Sequence, residues 1–140
     1  MAYGFDDNKV KVTVEGKYLI WTNSDPGDTF AQQTVQISNV NEDDYDFFEI
    51  ITRNGQVCKV LAKSSVFPYD KTVLQQTYIN YITHMQELYS RKFTISYLEE
   101  DNKVLFSFEN CYEAALYSGT SVESVENDSL IPYLIYGIKL

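Results

Sequence analysis

Phe47-Phe48-Glu49-Ile50-Ile51-Thr52-Arg53-Asn54-Gly55-Gln56-Val57-Cys58-Lys59-Val60-Leu61 is two apolar, β-branched runs on either side of Asn-Gly. Asn-Gly accepts positive φ at both central residues of a tight turn, so the stretch reads as a β-hairpin. The same alternation recurs on both sides of it. Residues 9–14 alternate polar and apolar with a period of two, residues 18–21 are a short apolar run, and residues 34–38 alternate again. Each reads as a strand. Asn23-Ser24-Asp25-Pro26-Gly27-Asp28 gathers turn formers and is a loop. A second hairpin runs from residues 92–97 through Glu100-Asp101-Asn102 into residues 104–108, and a last strand covers residues 130–138. Pro132 cannot donate to a ladder, which places the start of that strand at an edge or a bulge.

Residues 70–89 read two ways. Leu74, Tyr78, Tyr81, Ile82, Met85 and Leu88 fall at helical spacing, and Asp70 suits a helix cap. Thr77, Tyr78, Ile79, Tyr81, Ile82 and Thr83 are strand formers. Periodicity alone predicts a helix, while the surroundings are all β. The expectation is therefore an all-β, antiparallel β-sandwich, jelly-roll-like, of seven to ten strands, with a possible short helix in 70–90. Residues 1–8 are polar and read as a flexible N-terminal tail, leaving 9–140 as a single domain. Core candidates by alternation are Trp21, Phe30, Val35, Ile37, Ile50, Phe93, Ile95, Leu105, Phe106 and Ile135.

The chain has 140 residues, enough for one domain with its own core. Its net charge of -9 argues against nucleic acid, because phosphate is repelled. No run approaches a membrane span, and the N-terminus lacks the basic start and apolar stretch of a signal peptide. One histidine, His84, and two cysteines, Cys58 and Cys111, leave few ligands for zinc. The two cysteines read as free thiols, and neither lies in a nucleophile motif. No phosphate loop or dinucleotide fingerprint occurs, so no cofactor is expected.

Carboxylates cluster twice. Glu99, Glu100 and Asp101 lie in the second hairpin turn, and Glu42, Asp43, Asp44 and Asp46 crowd the loop before Phe47. Paired carboxylates serve glycosidases only across a cleft, whereas adjacent acids in turns are usually solvated charge. Asp43, Asp44 and Asp46 are a calcium candidate by oxygen chemistry, without the spaced pattern of a calcium loop. Twelve tyrosines are the compositional signature. Tyrosine offers an apolar face with a polar tip and suits sugar stacking or protein contact. Most, including Tyr97, Tyr133 and Tyr136, read as strand residues. Tyr112 and Tyr117, in the stretch after the second hairpin, are the candidate ligand-binding residues.

Four ordered segments carry a resemblance. They are Leu19-Ile20-Trp21-Thr22-Asn23-Ser24-Asp25-Pro26-Gly27-Asp28-Thr29-Phe30-Ala31-Gln32-Gln33-Thr34-Val35; Asp44-Tyr45-Asp46 with the apolar strand after it; Tyr89-Ser90-Arg91-Lys92-Phe93-Thr94-Ile95; and residues 131–139, Ile-Pro-Tyr-Leu-Ile-Tyr-Gly-Ile-Lys. Together, over residues 18–140, they resemble the C-terminal module of tail and tail-fibre proteins of tailed bacteriophages and prophages of Gram-positive gut bacteria. The resemblance implies a virion structural or adhesion module, made in the bacterial cytoplasm and trimeric as fibres are. It implies contact with other virion proteins and with a host-surface glycan or protein. It carries no catalytic residues, and it tilts the 70s toward strand. Here only about eight residues precede the module, and the 70–89 stretch is longer than the short strand of the family.

Three functions follow as expectations. The first is a non-enzymatic attachment module of the virion. The second is an assembly or decoration piece that touches only other virion proteins, which a large apolar patch would favour. The third is a wall-sugar hydrolase, which needs two acids about 5–10 Å apart in one cleft.

Overall fold

The computed structural model describes residues 12–14, 16–27, 29–63, 72–80, 85–117, 119–125 and 128–140, with backbone alone at 12–14, 72–80, 85–87, 113–117 and 119–125. Among the described residues there are ten strands: β1 Val12–Val14, β2 Lys17–Thr22, β3 Gln33–Ser38, β4 Phe47–Thr52, β5 Val57–Leu61, β6 Thr72–Asn80, β7 Met85–Leu98, β8 Lys103–Tyr117, β9 Gly119–Val125 and β10 Pro132–Ile138. They form two antiparallel sheets, ordered β1-β2-β10-β4-β5 and β3-β8-β7-β6, with β9 added to β8. The sheets pack face to face, so the chain is an all-β sandwich. The expected tail at residues 1–8, and His84, lie outside the described residues.

The β4–β5 hairpin forms where Asn-Gly predicts it, with a different turn. Only Gly55 takes positive φ, at 91°. Gly55 N–H donates to Thr52 O at 2.9 Å, and Thr52 N–H donates to Gln56 O at 2.9 Å. The loop is therefore three residues, Arg53-Asn54-Gly55, with glycine alone in the left-handed position. The Thr52 hydroxyl fixes it further, donating to Asn54 Oδ1 at 2.5 Å and accepting from Gln56 N–H at 3.0 Å.

The helix predicted by periodicity in 70–90 is not formed: the described part is strand. Residues 72–80 pair with residues 85–93 of β7, from Thr72 opposite Phe93 to Asn80 opposite Met85. The β-branched and aromatic residues of that segment fit a ladder, and a neighbouring strand supplies the hydrogen bonds that a helix makes internally. Tertiary pairing thus overrides a spacing that matches a helix by coincidence.

Inward positions of both sheets build the core. Phe48, Ile50 and Ile135 from one sheet meet Phe93, Val104, Phe106 and Phe108 from the other, all essentially inaccessible to solvent. Phe48 and Phe106 meet edge to face with centroids 5.1 Å apart, and Phe30 meets Phe108 likewise at 5.6 Å. Nine of the ten expected core residues belong to this cluster or pack against it, Trp21 and Ile95 being half-buried. Leu105 is the exception. Val104, Phe106 and Phe108 take the inward positions of β8, so a period of two turns Leu105 to the opposite face. Pro132 opens β10 at a register shift against β4, as its missing N–H requires, although β10 itself is the central strand of its sheet. On the same strand, a side chain at Gly137 would meet the Tyr45 ring at 2.6 Å.

β7 and β8 are 14 and 15 residues long, well beyond a usual strand. Their register shifts between Arg91 and Phe93, leaving Glu109 and Asn110 of β8 opposite Lys92 as a bulge. Along this ribbon β8 changes its outer partner. Lys103 to Phe108 pair with β3, and Tyr112 to Tyr117 pair with β9.

Arg91 sits at the bulge with no solvent exposure. Its guanidinium donates to four carbonyls: Nε to Leu130 O at 3.0 Å, Nη1 to Phe30 O and Glu109 O at 2.8 Å, and Nη2 to Ser129 O at 3.0 Å. Its carbon also stands 5.3 Å from the Phe30 ring centre. Burial pulls its pKa below the ordinary value, opposed by the Coulomb effect of Cys111. Leu130, one of its acceptors, is buried in the left-handed region at φ 50°. That conformation costs a bulky residue about 1–2 kcal/mol.

Tyr97 ties the sheets at another point, its hydroxyl donating to Ala62 O at 2.5 Å. Burial raises its pKa, helped by Glu42, Asp44 and Asp43, and burial with Asp44 and Tyr18 raises that of Tyr45.

Two predictions follow. Arg91→Lys keeps the charge but cannot reach four carbonyls with a planar fork. It should lose about 3 kcal/mol or more in urea unfolding, within the range for breaking a buried charged network. An unchanged midpoint would remove Arg91 from this role. For the tyrosines, a raised folded pKa favours the protonated phenol. Their contribution is present below the unfolded value near pH 10 and is lost as pH rises through the folded values. Stability should therefore fall above about pH 10, and Tyr97→Phe should flatten that fall while costing about 1 kcal/mol at neutral pH. Urea titrations across the alkaline range measure both.

Candidate functional site

The loop of residues 23–32, described at 23–27 and 29–32, leaves β2 after Thr22 and returns as β3. Asn23 anchors its start. Its N–H donates to Tyr133 O at 2.8 Å, its side-chain amide donates to Pro132 O at 3.0 Å, and its Oδ1 accepts Asp25 N–H at 3.0 Å. Arg53 clamps the tip, donating to Pro26 O, Gly27 O and, at 3.1 Å, Asp128 O. Arg91 holds the Phe30 carbonyl, and Gln32 N–H donates to Asn110 Oδ1 at 2.9 Å. The sequence marks a loop here through its turn formers. The structure turns that loop into one wall of a groove.

The groove is an open hollow of about 410 Å³. One wall is Trp21 to Asp25 with Thr29 and Phe30, and the other is Gln33 to Gln36 of β3. β3 is an edge strand of its sheet. Trp21, the sole tryptophan of the chain, is half-buried and also packs against the core. Around it stand a carboxylate, amides and hydroxyls. Asn23 spends its amide on the loop. Among the described residues, neither the Asp25 carboxylate nor the Gln36 amide has a hydrogen-bond partner, and both residues are exposed. A second hollow of about 290 Å³ shares Gln33 and Thr34 with the first and extends to Thr94, Ser107 and Glu109. Thr34 and Ser107 hydroxyls lie 3.1 Å apart within it. The two hollows thus adjoin along the start of β3.

Of the two tyrosines singled out by sequence, Tyr112 is not among the residues lining this groove. Tyr112 is 41% exposed but sits in β8 opposite Ser90 and Val125, on a regular ladder rather than an irregular stretch. Tyr117 ends β8, and its side chain lies outside the described atoms. Tyr112 is not among the described lining residues of either hollow.

The acidic loop uses its carboxylates separately. Asp43 pairs with Lys63 at 3.0 Å, Asp44 Oδ2 accepts Asn41 N–H at 2.9 Å, and Asp46 Oδ2 accepts Leu140 N–H at 2.8 Å. The three groups close a turn, an ion pair and the C-terminal strand end. Among the described residues no group of three or more His, Cys, Asp and Glu is placed to hold a metal ion. Cys58 and Cys111 are unbonded to each other; burial pushes the Cys58 thiol up, away from the thiolate that a nucleophile needs.

The sequence signal for the groove is Trp21 followed by the polar loop. Local pattern gives only a core tryptophan and a turn, because nothing in it shows that β3 will face that loop as an open edge. No family model, curated protein or solved structure matches the chain.

Proposed function

We propose that the protein is a non-enzymatic attachment module that takes a neutral glycan in the groove between the 23–32 loop and β3. The observation that carries this reading is the pairing of Trp21 with unengaged polar groups at Asp25 and Gln36 in one open hollow. An indole supplies an apolar wall for a sugar ring, and carboxylate, amide and hydroxyl groups take its hydroxyls. The adjoining second hollow offers room for a further sugar unit. The net charge of -9 disfavours anionic polymers, which selects a neutral glycan. Among the described lining residues of the first hollow Asp25 is the single carboxylate, whereas the two-carboxylate hydrolysis route needs a pair. The resemblance of the four segments to phage tail proteins supports a virion as the setting of such a module.

The test is calorimetry with neutral wall polysaccharide fragments. Asp25→Ala and Gln36→Ala are exposed substitutions that leave Trp21 in the core. Each should weaken binding about tenfold, the loss of one good hydrogen bond. Absence of binding to every neutral fragment, or binding unaffected by both substitutions, would overturn the reading.

A further inference from the structure

Asparagine is a chemically labile residue. The backbone nitrogen of the next residue attacks its side-chain Cγ, and a side chain on that next residue hinders the closure. Glycine has none, and Asn54 is the only asparagine of the chain followed by glycine. Asn54 and Gly55 are both exposed, and a carbon added at Gly55 would meet nothing within 4 Å. The solvent side of the β4–β5 turn is therefore open to the reaction. On the inner side, Thr52 holds both reacting groups. Its carbonyl accepts the Gly55 N–H at 2.9 Å, and its hydroxyl donates to Asn54 Oδ1 at 2.5 Å. The same hydroxyl accepts the Gln56 N–H at 3.0 Å, and Thr52 is itself buried. Its oxygen is thus fixed from the strand side.

We infer that Asn54 is a site of spontaneous deamidation and that Thr52 sets its rate by holding the turn closed. The step balances with water alone. The Gly55 nitrogen gives its proton to water and bonds to Asn54 Cγ. The Cγ–Nδ2 bond breaks, and Nδ2 takes up a proton and leaves as ammonia. The cyclic imide then takes up one water at either carbonyl and opens to aspartate or isoaspartate. Neither reacting group is available while the turn is closed. The N–H must leave the Thr52 carbonyl before its proton is lost, and the side chain must leave the Thr52 hydroxyl before Cγ can turn to the nitrogen. Each is an ordinary hydrogen bond worth about fivefold in an equilibrium, so together they withhold the reaction by about tenfold or more. β5 is an edge strand, so the turn can open without the rest of the sandwich.

The products bear on the fold and on the loop beside it. Isoaspartate adds one backbone atom to a three-residue loop, and loop length fixes the register of a hairpin. Either product sets a carboxylate beside Arg53, whose guanidinium donates to the Pro26, Gly27 and Asp128 carbonyls. A charged acceptor binds a guanidinium more strongly than a neutral carbonyl does.

The test is peptide mapping by mass spectrometry after incubation at mildly alkaline pH. In the chain unfolded by denaturant, Asn54 should convert ahead of every other asparagine. In the folded chain it should convert more slowly, by about tenfold or more. Thr52→Val keeps the shape and removes the hydroxyl, and it should speed conversion in the folded chain about fivefold. Thr52→Ser keeps the hydroxyl and should hold the original rate. Ile37→Val, a core change on the other sheet, lowers stability without touching the turn and should also leave the rate unchanged. Equal rates in the folded and unfolded chain would overturn the inference. So would a Thr52→Val chain no faster than the unsubstituted one, or an Ile37→Val chain as fast as Thr52→Val. The comparison of folded with unfolded unsubstituted chain decides the question even where Thr52→Val fails to fold.

Discussion

One buried guanidinium holds together parts of this chain that are distant in sequence. Arg91 stands on β7, and its four acceptors belong to Phe30 in the loop before β3, Glu109 in the β8 bulge, and Ser129 and Leu130 in the approach to β10. A buried charge without partners costs several kcal/mol, so the fold is committed to delivering all these carbonyls. Carbonyls serve as partners because they are turned inward where strands end and the ladder no longer uses them. The bulge frees the Glu109 carbonyl, and the left-handed Leu130 presents its own. The local irregularities and the arginine therefore account for one another.

The groove inherits its shape from this arrangement. Its loop wall is fixed at Asn23, at the Arg53 clamp and at Phe30 through Arg91. Its strand wall is fixed by the regular pairing of β3 with β8. A site that must meet a ligand with little intrinsic affinity gains from walls already in place, because less ordering is left to do on binding.

The fold was legible in sequence where a local rule decides the outcome. The Asn54-Gly55 hairpin and the inward Phe93, Phe106, Ile50 and Ile135 follow from turn chemistry and a period of two. The rule failed where partners outside the segment decide. The spacing from Leu74 to Leu88 fits a helix, but pairing with β7 makes a strand. Leu105 is as apolar as its neighbours, yet phase along β8 turns it outward. Tyr112 reads as part of an irregular stretch because nothing in the sequence announces a strand of 15 residues that passes through a bulge. Arg91 was visible only as one letter of a resembling segment. A buried arginine satisfied by carbonyls leaves no sequence pattern, since its partners are backbone groups that every residue carries.

β2 serves the core and the groove with adjacent residues. Trp21 packs against the core and also lines the hollow, and Thr22 after it lines the hollow as well. A register shift against β10 passes over Ile20, so the phase of Trp21 is set at that irregularity and not by simple alternation from Lys17. The indole is therefore held by packing before any ligand arrives, and a side chain that is already ordered loses little freedom on contact. The open edge of β3 faces it across the hollow, so the apolar wall is fixed by the core while the polar wall is fixed by the β3–β8 ladder.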